Sequence, residues 1–453
     1  MQAVLFENNR GPTPVLRGRP LVGSLLDFRR DRLAIQEKLA SLGDVVRFRM
    51  GPYMVTALNS PEAAHELFTE RAGDTVKSLG LARFGRPVLG EGLLVSEGAV
   101  HKRQRKLLAP AFQHKRIAGY AAVMAERCER AAERWGDGEE LDVAEAMNRL
   151  TLDIVGRTLF DADVEGDARA IGSALTDAMR YMVNGVTSPW GFLIPYAWPT
   201  PANERMRRAV RALDEVVYRL IAERRAKGGD RGDVLSMLLL ARDEDDGHGM
   251  TDTQVRDEAM TLLLAGHETT ANALAWAWHL LAQNPGALGR MADEVRGVCQ
   301  GRPVRPEDLT LLPYTLQVFK ETLRLRPPAY IVTREAVRDF TITGHPVAAG
   351  GVVMVGVHAL HRRPDTFPDP LAFRPERFAP EAEKKLPRGA FLPFGGGPRV
   401  CIGNHFATME GQLVLATLVQ RVRFTPRYTS EPVAEPMVTL RPKGGLPMRV
   451  TRV

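Results

Sequence analysis

Apolar residues recur at helical spacing from Ser60 to about Leu325 and at alternate positions only toward the two ends of the chain. The first spacing marks a buried helix face, the second a half-buried strand. Near the amino end, DVVRFRMGPYMVTAL alternates apolar and charged residues around Gly51-Pro52, which reads as strand, turn, strand. Loops such as KGGDRGD and DEDDGHG interrupt the helical middle. After Pro327, short β-type runs return in DFTITG and GGVVMVGV, and the closing MVTLRPKGGLPMRVTRV is again strand-like. The pattern predicts a mainly α chain with small β-sheets contributed by both ends, an α+β class.

The most informative helix is predicted from about Asp252 to Asn284. Thr251 and Gln254 form a capping box at its start and Pro285 marks its stop. Roughly thirty residues at 1.5 Å each span about 45 Å, the width of a whole domain. Its apolar core, AMTLLLAGHETTANALAWAWHLLA, resembles a membrane span, but His267, Glu268, Thr269, Thr270 and Asn272 would be costly at the centre of a bilayer. A buried central helix fits better. Gly266, Thr269 and Thr270 are poor helix formers, and the Thr269 hydroxyl can bond back to the Ala265 carbonyl, which predicts a kink or groove beside the glycine. Taken alone, such a spot is more often a packing defect than a site. HETTA lacks the second histidine of a zinc-protease helix, because Ala271 stands there, and GGGPRV has Val400 where a dinucleotide fingerprint needs glycine.

With 44% hydrophobic and 25% charged residues in 453, the chain has the usage of a folded globular protein. It carries no linker, low-complexity tract or repeat, so residues 1–453 read as one domain, with a β-rich lobe from about 40–60 and 330–360 plus the C-terminal strands. Three cysteines, Cys128, Cys299 and Cys401, with no Cys-x-x-Cys, argue for a reducing compartment. The start, MQAVLFENNRGPTP, lacks the apolar run of a signal peptide, so the cytoplasm is expected and no membrane anchor. A net charge of +7 allows nucleic acid, a membrane surface or an acidic protein as partner. The densest basic run, His101 to Lys106, also reads as a solvated helix face.

In KETLRLRPP, Glu321 and Arg324 share a helix face, and FRPERF supplies Arg377 downstream. Exposed, these would be worth little; buried, they would clamp one carboxylate between two arginines. FGGGPRVCIG places Cys401 after three glycines and Arg399, with an amphipathic helix beginning at about Ile402. The glycines let the backbone approach a flat ligand closely, and a helix N-terminus stabilises thiolate.

AGHETT, ETLR, PERF and FGGGPRVCIG, in that order, resemble the motifs of the cytochrome P-450 family of haem-thiolate monooxygenases; the last matches Phe-Gly-x-Gly-x-Arg-x-Cys-x-Gly from Phe394 to Gly403. The resemblance covers essentially the whole chain and implies the cytochrome P-450 fold, with haem b between the long central helix and the cysteine-loop helix and Cys401 as axial thiolate of the iron. Glu268 and Thr269 would then be the acid and alcohol that deliver protons to the reacting dioxygen. His101, Arg105, Arg334 and Arg399 would hold the propionates, with Phe394 and Gly403 shaping the cofactor loop; the family often has tryptophan where His101 stands. Glu321, Arg324 and Arg377 would form the structural clamp. Leu94, Ala265 and Ile331 fall in regions that line the substrate pocket, under an aromatic loop, TSPWGFLIPYAWP. Electrons from NAD(P)H would arrive through a ferredoxin or flavodoxin and its reductase, docking near Arg103 and Lys106. The expected protein is a monomer without nucleic acid, oxygenating a lipophilic fatty acid, terpenoid, steroid or polyketide. A peroxide-driven peroxygenase and a non-catalytic haem-thiolate sensor stay open as alternatives.

Overall fold

A computed structural model describes residues 13–188, 190–242 and 247–453, without the side chains of His114 and Lys115. Most of the amino-terminal stretch, Pro189 of the aromatic loop and residues 243–246 of the DEDDGHG loop lie outside the described residues.

The long helix forms at Asp252–Gln283. Its capping box is complete: the Thr251 N–H donates to Gln254 Oε1 at 2.9 Å and the Gln254 N–H to Thr251 Oγ1 at 3.2 Å. Helices Val143–Leu159, Pro201–Lys227, Pro313–Leu325 and Asn404–Val419 pack around it, which explains why its sequence is apolar nearly all round. No helix among the described residues is long and apolar enough to cross a membrane. The helix is continuous through Gly266, where a Cβ would sit 3.3 Å from Val155 Cγ2. The groove expected beside the glycine is therefore filled by the helix Val143–Leu159.

Six strands form the main sheet, in the order Val15–Leu16, Val45–Met50, Tyr53–Leu58, Val352–Val355, Val332–Ala336, Thr75–Lys77. The hairpin read around Gly51-Pro52 pairs Val45 with Leu58 through Met50 with Tyr53. Two features depart from expectation. The helical middle contains two short strands, Thr75–Lys77 and Glu140–Asp142. The C-terminal strands Val422–Pro426 and Pro447–Arg452 do not join the main sheet; with Glu140–Asp142 they form a separate one, and Phe424, Met448 and Val450 pack into the large helical core. Two smaller apolar clusters underlie the main sheet.

Candidate active site

The cysteine loop is shaped by one close approach. Gly397 has φ +62°, and a Cβ there would lie 1.6 Å from the Phe68 carbonyl oxygen, so no other residue fits. The glycines thus seat the loop against the end of helix Pro61–Phe68. After a short 3₁₀ turn at Gly397–Arg399, the Cys401 N–H donates to the Phe394 carbonyl at 3.0 Å. Phe394 itself packs half-buried against the large core. The following helix begins at Asn404, not Ile402, so Cys401 precedes its first turn. Burial pushes the thiol above its usual range, while the Gly403 N–H and the Arg105 charge pull it down. Desolvation outweighs these local donors, and a metal cation at the sulfur would reverse the balance. The side chain nevertheless retains open surface; protein that desolvates it without covering it makes this an internal recess. A Cβ at Gly403 would meet Cys401 Sγ at 4.0 Å and Phe112 Cε1 at 3.8 Å, ordinary contacts, so the role of that residue is its N–H.

Glu321 and Arg324 are completely buried. Arg324 Nε donates to Glu321 Oε2 at 2.7 Å and its Nη2 to Oε1 at 2.8 Å, while Arg377 Nε approaches Oε1 at 3.4 Å. The remaining Arg324 donors reach the carbonyls of His361, Pro370 and Ala372. The pair thereby ties helix Pro313–Leu325 to the segment that leads to the cysteine loop.

A group of cations gathers on the other side of that loop. Lys77 and Arg334 are direct cross-strand partners, an arrangement that destabilises a sheet unless something neutralises it. Arg399 pairs with Glu97. Arg105, on the helix Gly98–Leu108, donates to the Val400 carbonyl at 2.9 Å. Burial, then Arg399, Lys77, Arg105 and Arg334, push buried His101 down to about 3, so it is neutral. Burial and Arg399 likewise push Lys77 down to about 7, against the pull of Glu97. Burial and Arg399 also lower Arg334. Lys77 and Glu97 were not expected from the sequence. Only pairing with Arg334, 257 positions away, puts Lys77 here.

On the central helix, the Thr269 hydroxyl donates to the Ala265 carbonyl at 2.6 Å, as its spacing predicts. Ala265 is exposed, on a side of the helix where Leu264, Gly266 and Thr269 are half-buried. Glu268 turns elsewhere: its Oε1 accepts from the Thr439 hydroxyl at 2.7 Å and from Asn272 Nδ2 at 3.4 Å. Leu94 is 40% exposed. Ile331 instead packs against a cluster under the main sheet, apart from the large core. Arg103 donates to the His248 carbonyl at 3.4 Å, and Lys106 is exposed on the same helix.

Residues 12–447 match a family model described as cytochrome P450. The chain belongs to the cytochrome P450 family. Relatives of this P450 include cyclooctatin synthase of Streptomyces melanosporofaciens, 40% identical over 90% of this chain and 89% of that protein. Cyclooctat-9-en-7-ol 5-monooxygenase of the same organism is 36% identical over 90% and 88%. Pentalenene oxygenase of Streptomyces avermitilis is 33% identical over 92% of each. A solved structure of a cyanobacterial CYP120A1 with retinoic acid bound has a TM-score of 0.87 and 26% identity, covering 98% of this chain and 100% of that one. The mixed fold with small sheets is the P450 fold, and the enzyme is a P450 monooxygenase of a haem-binding family. The residues fit such a group. Lys77, Arg105, Arg334 and Arg399 outnumber the carboxylates of Glu97 and Glu258, the second of which burial pushes up to about 7, a surplus that two propionates would balance. Cys401 offers a sulfur with an open side, and the exposed Ala265 offers a small residue on a largely buried helix.

Proposed function

We propose that this P450 uses haem b, with Cys401 on the iron and His101, Lys77, Arg105, Arg334 and Arg399 toward the propionates, to oxygenate a cyclic, hydrocarbon-rich terpenoid. When bound, the haem supplies dioxygen activation, favoured by electron donation from a thiolate ligand. The protein's own work is to hold the thiolate, place the substrate and move protons. The Cys401 loop fixes the sulfur through the Phe394 carbonyl and the Gly403 N–H. The Thr269 hydroxyl, with its hydrogen committed to Ala265, presents its oxygen as an acceptor and can redirect that hydrogen to a reacting oxygen. Glu268 is the acid behind it. Glu321, Arg324 and Arg377 keep the loop's approach rigid.

The observation that carries this reading is the unbalanced cation group beside the Cys401 recess. For the substrate, support comes from relatives named for pentalenene and cyclooctat-9-en-7-ol, a hydrocarbon and an alkenol by name, and from the apolar Leu94 and Ala265. Electrons would come from NAD(P)H through a separate ferredoxin or flavodoxin, with Arg103 and Lys106 on the docking face. The testing measurement is the carbon monoxide spectrum of the reduced protein. The expected outcome is a strongly red-shifted Soret band in the wild type that is lost in Cys401→Ser. Its absence from folded, haem-loaded wild type would overturn the thiolate assignment. Incubation with cyclic terpene alkenes, a ferredoxin and its reductase should give a product one oxygen heavier.

A further inference from the structure

The segment between the helices Leu79–Leu89 and Gly98–Leu108 is clipped to the central helix near its start. Three consecutive residues hold it. Arg256 Nη1 donates to the Val88 carbonyl at 2.8 Å, Asp257 Oδ2 accepts from the Glu91 N–H at 2.9 Å, and Glu258 Oε2 accepts from the Leu93 N–H at 3.0 Å. Successive helical residues are rotated by about 100°, so the segment meets all three by wrapping across the helix. Two glycines allow the approach. A Cβ at Gly90 would lie 2.1 Å from the Asp257 carboxyl, and one at Gly92 would lie 2.1 Å from Thr261 Oγ1.

Leu93 is held on both of its backbone polar groups. Glu258 takes the N–H, while Lys77 Nζ donates to the carbonyl at 2.7 Å and to the Ser96 carbonyl at 3.0 Å. Leu93 and Val95 are buried in the large core, and Leu94 between them stays exposed. The pinned backbone therefore decides where the Leu94 side chain stands.

Glu258 is completely buried, and its Oε1 has no hydrogen-bond partner among the described residues. A carboxyl with a free oxygen and no exposure is costly, so core packing does not account for it. Burial raises its pKa, the Leu93 N–H pulls it back, and Asp257 and Lys77 act in opposite directions. Lys77 is flanked in turn by Arg399, Glu97 and Arg334. Arg256 is shared between Asp214, at 2.6 Å, and Asp257, at 3.0 Å.

We propose that Glu258 is a positioning residue: by holding the Leu93 N–H it sets how far Leu94 reaches into the substrate pocket, and so limits the size of molecule the pocket admits. The inference rests on the reading of Leu94 as a pocket residue. Arg256 and Asp257 secure the segment upstream. Lys77, which belongs to the cation group of the propionate site, grips the same residue from the other side, so cofactor and substrate sites meet at Leu93.

The test is amide hydrogen exchange, read by mass spectrometry on the haem-loaded, substrate-free protein. In Glu258→Leu the stretch 90–97 should exchange faster than in wild type while the helix Gly98–Leu108 keeps its rate. Glu258→Gln, which retains an acceptor for the Leu93 N–H, should restore protection. An unchanged rate in Glu258→Leu, or glutamine as fast as leucine, overturns the clip. Asp257→Ala frees the Glu91 N–H and should speed the same stretch, so it tests the clip even where Glu258→Leu fails to take up haem; an unchanged rate there overturns it as well. Soret titrations then read the pocket. Loss of a hydrogen bond to a charged acceptor should weaken phenylimidazole binding to Glu258→Leu about ten-fold. Imidazole, too small to reach Leu94, should bind as it does to wild type. Equal weakening of both, or of neither, overturns the positioning role. A Leu94→Ala protein that binds phenylimidazole as wild type does would instead sink the pocket reading of Leu94, and it would leave the exchange results standing.

Discussion

Replacing Arg324 by Met would leave Glu321 fully buried with only Arg377, at 3.4 Å, and the Arg374 N–H, at 2.8 Å, against its charge. Breaking one side of a buried pair costs about 3–5 kcal/mol, so urea unfolding of Arg324→Met should shift to much lower denaturant. Glu321→Met together with Arg324→Met should cost less than the sum of the single changes. Glu410 gives a pH signature. It is fully buried beside Thr270, and burial pushes it up to about 8. An acid raised in the folded state adds stability that is complete below its unfolded value and is lost as pH rises through the folded one. Wild type should therefore lose stability relative to Glu410→Gln between pH 4.5 and about 8, read from thermal unfolding at a series of pH values. The back-bond of Thr269 could be read from sequence because donor and acceptor lie four residues apart. The partner of Glu268 could not, since Thr439 is 171 residues away.

Elements set by local signals were legible for the same reason. The capping box at Thr251 lies within one helical turn, and Thr251→Ala should cost about 1 kcal/mol, measured as a lower denaturation midpoint. The hairpin around Gly51-Pro52 carries its alternation and its turn together. The strands Thr75–Lys77 and Glu140–Asp142 have three residues each, too few to show a period, and exist because distant strands hold them. The C-terminal strands showed their type but not their sheet, because alternation reports which face is buried and not against what. Two glycines of the cysteine loop separate conformation from space. Gly395 has φ +72° with nothing within 4 Å of a Cβ, whereas Gly397 adds the clash with Phe68. Gly397→Ala should abolish haem incorporation and Gly395→Ala only reduce it, judged by the ratio of Soret to protein absorbance.

Across the whole molecule, the motifs at Glu268, Glu321, Arg377 and Cys401 announced a family because each is a short run of sequence, while the cation group was visible only piecemeal. The resemblance assigns His101, Arg105, Arg334 and Arg399 to the propionates but not Lys77, which completes them and reveals their excess of charge. Inorganic pyrophosphate should therefore raise the melting temperature of the haem-free protein more than chloride at equal ionic strength, and Lys77→Met should shrink that difference. Thr75–Lys77 is also the edge strand of the six-stranded sheet, held by a neighbour whose Arg334 faces Lys77. The like-charge pair loosens that edge until an anion neutralises it, so limited proteolysis should cut the haem-free protein near Thr75–Lys77 faster than the haem-loaded one. A cell whose haem supply lags behind translation would carry chains frayed at this corner, open to proteolysis, and the yield of intact enzyme would follow the supply of haem more closely than the supply of message.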